Sequence, residues 1–223
     1  MPNVNELKLN DDPNQKPKVN YLTWFVNDVM PDELVPYQAF DIQKFLSQRG
    51  SFLKDYKIGT DAYSTWLDAL CKKNNINAKM IMVTLQKEQS IVMMGQAPGE
   101  KKMDRCLGYG MTDSGDIKKW YGFQKQHEGA IAQVAKDFTK FSKTWPQPKQ
   151  EVDDGLLTIQ PFTAHTSLLY KYTPWTGSPD SVYYSKWGIH GAYLYWTLWK
   201  QWWPEDLKNY NHKTLEEALK KGG

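Results

Sequence analysis

The sequence predicts a mostly α-helical domain with at most a small β element. Three observations predict it. Apolar residues recur at three- and four-residue steps in segment after segment. Asn, Asp, Gly and Pro punctuate those segments at helix-length intervals. Only "DDGLLTIQP" reads as a short extended piece or hairpin arm. With no internal repeat and no long linker, the expected organisation is a flexible arm over 1–20, one domain over 21–204 and a tail over 205–223.

Each element has a local cause. "YLTWFVNDVMP" is apolar enough to dock on the domain, and Pro31 and Pro36 separate it from the next segment. "YQAFDIQKFLSQRG" reads as a short amphipathic helix, with Asp41 near its start and Gly50 at its end. Thr60-Asp61 is expected to open the next, in which Tyr63, Trp66, Leu67 and Leu70 share a face before Asn74-Asn75 closes it. Asn77 caps a further helix running through "MIMVTLQKEQS". Gly95, Pro98 and Gly99 mark a loop leading to the glycine-rich "RCLGYGMTDSGD", which permits close backbone approach. "EGAIAQVAKDFTKF" carries a helical stripe of Ile131, Val134, Ala135, Phe138 and Phe141. "TAHTSLLYKYTPW" reads as a helix stopped by Pro174, "SPDSVYYSKWG" as a loop, and "IHGAYLYWTLWKQWWP" as an aromatic helix ended by Pro204. "TLEEALKKGG" would add an exposed helix.

Composition narrows the function classes. The 223 residues carry 40% hydrophobic and 24% charged side chains, as in ordinary globular proteins, but with ten Trp and thirteen Tyr. Such aromatics either fill a core or stack on sugars and bases. The net charge of +3 is mild and the lysines are dispersed, which disfavours nucleic acid as a partner. A weakly basic chain is still drawn to an anionic polymer. Cys71 and Cys106 fit one disulfide or two small buried hydrophobes. The four histidines form no HxxxH or HxH pair, so no metal site and no cofactor are expected. No apolar run approaches about 20 residues, so no membrane span is expected. The N-terminus lacks the pattern of a signal peptide.

One residue breaks the pattern. Ile81, Leu85, Glu88 and Val92 fall at steps of four, three and four, so a carboxylate continues an apolar stripe. Burial disfavours the charged form of such a group, and a protonated acid is what glycosidic cleavage needs. Lys87 leaves an ideal helix about 100° away and need not neutralise it. Periodicity alone favours a structural, hydrogen-bonded glutamate.

Short motifs shift that balance. "VTLQKEQS", "LGYGMTDSG", "YGFQKQHEGA", "LLYKYTPW" and "WGIHGAYLYWTLWKQWW", with the lead-in "FDIQKFLSQRGSFLKDY", resemble in order a bacterial family of lysozyme-like domains whose core motif is LQKEQ. The resemblance covers about residues 38–204. It implies a lysozyme-superfamily fold, near goose-type lysozymes and soluble lytic transglycosylases, and cleavage of the β-1,4 bond between N-acetylmuramic acid and N-acetylglucosamine in peptidoglycan. It also implies that Glu88 is the catalytic acid, although Gln89 stands where those transglycosylases have Ser. Gly108-Tyr109-Gly110-Met111 is similar to their Gly-Leu-Met-Gln turn but lacks its glutamine. Their late tyrosine near the acid corresponds to Tyr172 or Tyr170, and Tyr172, which precedes the TPW segment, is preferred.

The remaining candidates rest on weaker signals. A hydrolase recruits a second carboxylate at ~5 Å as nucleophile or ~6.5–9.5 Å as base. Asp104, Asp113 and Asp116 lie near the turn, and Asp113 is preferred, with turn capping as its simpler explanation. A lytic transglycosylase needs none, because the muramoyl 6-hydroxyl attacks the anomeric carbon. Tyr109, Gln124 and Trp175 are candidate sugar contacts, each with a plain structural alternative. Trp196, Trp199, Trp202 and Trp203 read as core and rim packing. His127-Glu128 reads as a solvent-exposed helix start. The expected partner is the glycan strand of peptidoglycan, met by a monomer at the bacterial wall, either as a secreted autolysin or as a phage endolysin. The rival readings are an endo-β-N-acetylglucosaminidase and a non-catalytic wall-binding module.

Overall fold

The computed structural model describes residues 26–112, 114–179, 181 and 183–211. The arm over 1–20, the helix expected in "TLEEALKKGG" and Asp113 lie outside the described residues. Among those described, nine helices and two small antiparallel hairpins make the fold mostly α, as the periodicities predict. None of the helices is long and apolar enough to cross a membrane. The chain divides into two compact units, one running Val35–Lys136 and the other combining 26–34 with 137–211.

In the first unit, α1 (Ile42–Gln48) starts where the Asp41 carboxylate accepts from Lys44 N at 2.9 Å. Such a cap satisfies an amide that the helix itself cannot. The strands β1 (Lys57–Ile58) and β2 (Asp61–Ala62) then pair as a minimal hairpin. Here the expected helix start moves. Asp61 is held in the ladder opposite Ile58, so α2 (Tyr63–Asn74) begins two residues later without a side-chain cap. It ends at Asn75, which adopts a left-handed φ of 54°. Asn77 caps α3 (Ala78–Gln89) as expected, accepting from Lys79 N at 3.0 Å. A short α4 (Glu100–Met103) comes after the Gly-Pro loop. The long α5 (Phe123–Phe141) starts earlier than its apolar stripe suggests, and the division between units falls within it.

The first core gathers Leu46, Leu53, Tyr63, Leu67, Met82 and Leu85. His127 lies inside it rather than in solvent, which corrects the expectation from sequence. Its Nδ1 donates to the Phe123 carbonyl at 2.7 Å, leaving Nε2 to accept from the Tyr63 hydroxyl at 2.9 Å. Burial lowers its pKa to about 4, against a raising effect from that carbonyl. Cys71 and Cys106 are free and buried, and burial pushes the Cys71 thiol up to about 12.

In the second unit, the segment 26–34 is sewn to the start of α6 (Ala164–Tyr172). The Thr166 hydroxyl accepts from Val29 N at 3.0 Å, and Thr163 donates to the Met30 carbonyl at 2.7 Å. Strands β3 (Gln150–Val152) and β4 (Leu157–Ile159) pair as a hairpin, of which β4 is the extended piece or arm expected in "DDGLLTIQP" and β3 lies before that stretch. A short α7 (Tyr184–Trp187) occupies the expected loop. The helices α8 (Gly191–Trp202) and α9 (Pro204–Leu207) complete the unit, with Pro204 opening the latter rather than only ending α8. Trp199 is fully buried and donates to Asp206 at 3.0 Å. Trp196, Trp202 and Trp203 are half-buried, as core and rim packing requires.

Candidate functional site

Glu88 stands in the last turn of α3, where Ser90 adopts a left-handed φ of 59° and closes the helix. Ile81 and Leu85 below it are buried, so the stripe is real as far as the helix extends. Val92 is also buried but lies beyond the helix end. The Glu88 side chain keeps 30% exposure, at the edge of the core rather than inside it. It is not alone there. The Lys87 ammonium pairs with Oε1, correcting the expectation that Lys87 points away. The four-carbon stem folds back across the 100° divergence and is packed, with only 9% of the side chain exposed. The charge also sits in the last helical turn, where the macrodipole favours a cation.

The other oxygen faces the glycine-rich turn. A Cβ at Gly108, whose φ is +68°, would stand 3.5 Å from Glu88 Oε2. Glycine therefore meets two demands at once, a left-handed backbone and an unobstructed approach to the carboxylate. Gln126, fully buried on α5, fixes this turn. Its Oε1 accepts from Leu107 N at 3.3 Å and Tyr109 N at 3.0 Å, and its Nε2 donates to the carbonyls of Tyr109 at 2.7 Å and Trp120 at 2.8 Å.

Of the predicted sugar contacts, Tyr109 packs edge-on against Trp120, with ring centroids 4.9 Å apart. The pair borders a recess of about 350 Å³ on α5. Gln124 is exposed and donates to Glu128 at 2.8 Å. It borders a second recess, of about 580 Å³, beside β1. Neither recess is lined by Glu88. Among the candidate second carboxylates, Asp104 closes α4. Asp116 pairs with Arg105 and accepts from the Tyr121 hydroxyl at 2.6 Å.

Tyr172 and Trp175 belong to the second unit. Tyr172 is 43% exposed and donates to Asp137, a buried carboxylate that also pairs with Lys171. Tyr170 is buried, and among the described residues its hydroxyl has no hydrogen-bond partner. Trp175 is half-buried, perpendicular to both Tyr183 and Trp187. Asp153 anchors the segment by accepting from Thr176 N at 2.8 Å, while its own amide donates to the Pro174 carbonyl at 2.9 Å.

Three contributors are not singled out by the sequence: Lys87, Gln126 and Asp137. Gln126 lies two residues from Gln124 in the stretch YGFQKQHEGA, and residue type alone does not separate them. Lys87 and Asp137 carry no signal either, because a lysine or an aspartate within a helical run is ordinary. Among the described residues no group of three or more His, Cys, Asp or Glu is placed to hold a metal ion. No protein-family model, curated protein or solved structure matches the chain.

Proposed function

We propose that this chain cleaves the β-1,4 bond between N-acetylmuramic acid and N-acetylglucosamine in peptidoglycan, with Glu88 as general acid. The observation that carries the reading is the Glu88 carboxyl itself. It is half-buried at a helix end, with Oε1 held by Lys87 and Oε2 facing a backbone stripped of side chain at Gly108. The ordered motifs that resemble lysozyme-like domains supply the substrate class.

In the proposed step, the Glu88 proton passes to the glycosidic oxygen as its bond to the muramoyl anomeric carbon breaks. The resulting oxocarbenium-like centre is then captured by an oxygen nucleophile. Asp116 is engaged by Arg105 and Tyr121, and Asp104 closes a helix, so neither favours a hydrolytic second carboxylate. We favour capture by the muramoyl 6-hydroxyl, which needs no second carboxylate, returns its proton to Glu88 and leaves a 1,6-anhydro end. A hydrolytic role would fall to Asp113, which lies outside the described residues. Such an enzyme works at the bacterial wall, whether secreted as an autolysin or released as a phage endolysin.

The test compares the protein with Glu88→Gln on purified peptidoglycan, with products identified by mass spectrometry. Anhydromuramoyl products lost in the variant support the reading. Reducing-end muramic acid makes the chain a lysozyme, and reducing-end glucosamine moves the cut to the other bond. Wall binding without release by either protein sinks the enzyme and leaves a binding module.

A further inference from the structure

We propose that the exposed face of α5 from Gln124 to Lys136 is the floor of a groove that binds an extended, carboxylate-bearing N-acetyl-glycan strand. This deepens the peptidoglycan reading and rests on it for the identity of the strand. The two recesses on this face are neighbours, because Glu128 lines both. Twelve residues of helix separate Gln124 from Lys136, a span of about 18 Å, long enough for several sugar rings in a row.

The groove has an aromatic wall that the sequence makes room for. Tyr109 lies directly on the α5 backbone at Gly129. A Cβ there would fall 2.3 Å from Tyr109 Cε1 and 3.0 Å from Trp120 Cε3. Any larger residue at 129 would push the wall away. At the other end, Tyr56 stands edge-on to Phe123, with centroids 5.2 Å apart, beside Lys57. Half-buried rings along a groove suit the apolar faces of sugar rings, and their edges leave the hydroxyls and acetamido groups to polar neighbours.

The charge pattern selects the kind of strand. Lys57, Lys125 and Lys136 line the groove, and the Lys119 ammonium lies 5.1 Å from the Trp120 ring centre. Among the described residues lining the two recesses, one carboxylate stands against these cations, Glu128, tied to Gln124 at 2.8 Å. A glycan whose stem-peptide carboxylates recur on alternate sugars, the lactyl carbonyls being tied up in amides, carries its negative charge sparsely enough to suit several cations and one carboxylate. A nucleic acid, with a phosphate at every residue, sets one against Glu128. Tyr109 directly succeeds Gly108, which faces Glu88 Oε2, so the groove wall and the proposed acid are joined through one turn.

The test uses the Glu88→Gln protein, which leaves the strand intact. It is titrated with solubilised peptidoglycan strands retaining their peptides, with chitohexaose and with an oligothymidylate. Binding is read from the Trp120 indole and Tyr109 amide resonances and from Kd. The companion variant replaces Lys57, Lys125 and Lys136 by Gln, all surface positions whose loss leaves the fold intact. We expect both resonances to move, strand affinity to fall about tenfold in the triple variant, equivalent to ~1.4 kcal/mol, and chitohexaose affinity to hold. Unchanged strand affinity in the triple variant, silent Trp120 and Tyr109 resonances, or tighter binding of the oligothymidylate than of the strands would each overturn the groove. Product release is scored separately. If Glu88→Gln still releases fragments while the groove binds, the catalytic reading falls and the groove stands. If the groove is silent while Glu88→Gln abolishes release, the reverse holds.

Discussion

Gln126 grips Tyr109 at both ends of its backbone, accepting from its N–H at 3.0 Å and donating to its carbonyl at 2.7 Å. Tyr109 stands on a turn whose preceding glycine faces the Glu88 carboxylate. An α-helix and a glycine-rich loop are thereby locked through one buried amide, and the turn beside Glu88 is fixed by a residue whose hydrogen bonds go to that turn and to Trp120 rather than to Glu88.

Gln126→Leu keeps the side-chain volume and removes the clamp. The amides of Leu107 and Tyr109 and the carbonyls of Tyr109 and Trp120 lose a shared partner. Each buried polar group left unpaired costs about 1–3 kcal/mol. Urea unfolding should show a loss of roughly 3 kcal/mol or more. Gln126→Glu keeps the acceptor for the two amides and should fall between. Equal stability of Leu and Glu variants would contradict the clamp.

Gly108→Ala probes the approach to Oε2. The left-handed φ of +68° strains any alanine, at about 1–2 kcal/mol. The new Cβ, 3.5 Å from Oε2, makes an ordinary contact and so is tolerated in the substrate-free protein. In the proposed cleavage it would also narrow the approach of the glycosidic oxygen to Oε2. On that reading the expected result is a folded protein with turnover reduced at least tenfold. Full activity in a folded Gly108→Ala protein would move the proton transfer to another face of Glu88.

Legibility in the sequence tracks local physics. The caps at Asp41 and Asn77 are readable because an Asp or Asn before an apolar-periodic run has one economical use. A helix start at Asp61 is not, because the same residue suits a tight hairpin, and only the pairing of Ile58 with Asp61 decides between them. His127 falls in solvent when the helix is begun at Glu128. Starting at Phe123 turns its ring inward onto Tyr63. The apolar stripe under Glu88 is visible in the sequence, but its ion pair is not, since angular separation on an ideal helix says nothing of how far a lysine stem can bend. Gln124 and Gln126 are alike by type, and only the tertiary contacts distinguish a surface glutamine from a clamp.

On the proposed cleavage, Lys87 should position the Glu88 carboxyl, because its ammonium pairs with Oε1 while its stem is packed. Lys87→Met retains the packed stem and removes the partner, so turnover should fall about tenfold while the urea midpoint holds. Lys87→Arg keeps a charged donor and should recover much of that loss. A Met variant as active as the unmodified protein would make Lys87 a packing residue.

Stability should fall on mild acidification through two buried imidazoles. His127 and His165 are both held near a pKa of about 4 by burial, against 6.5 for the ordinary side chain. Above 6.5 the imidazole is neutral in both folded and unfolded chains, and its full contribution is present. As pH falls from 6.5 toward 4 the unfolded chain takes up a proton that the folded one refuses, so stability drops by up to ~1.4 kcal/mol per pH unit for each histidine. Below about 4 the folded chain also accepts it and this contribution levels off. Carboxylate protonation adds its own loss at that end, so the informative window lies above pH 5. Urea midpoints between pH 7.5 and 5 should therefore decline. Replacing His127 by Gln, which still accepts from Tyr63 but cannot titrate, should reduce the slope to about half. A flat profile in the unmodified protein would mean that these rings take up protons while folded, and that the buried contacts of His127 with Tyr63 and Phe123 yield as they do so.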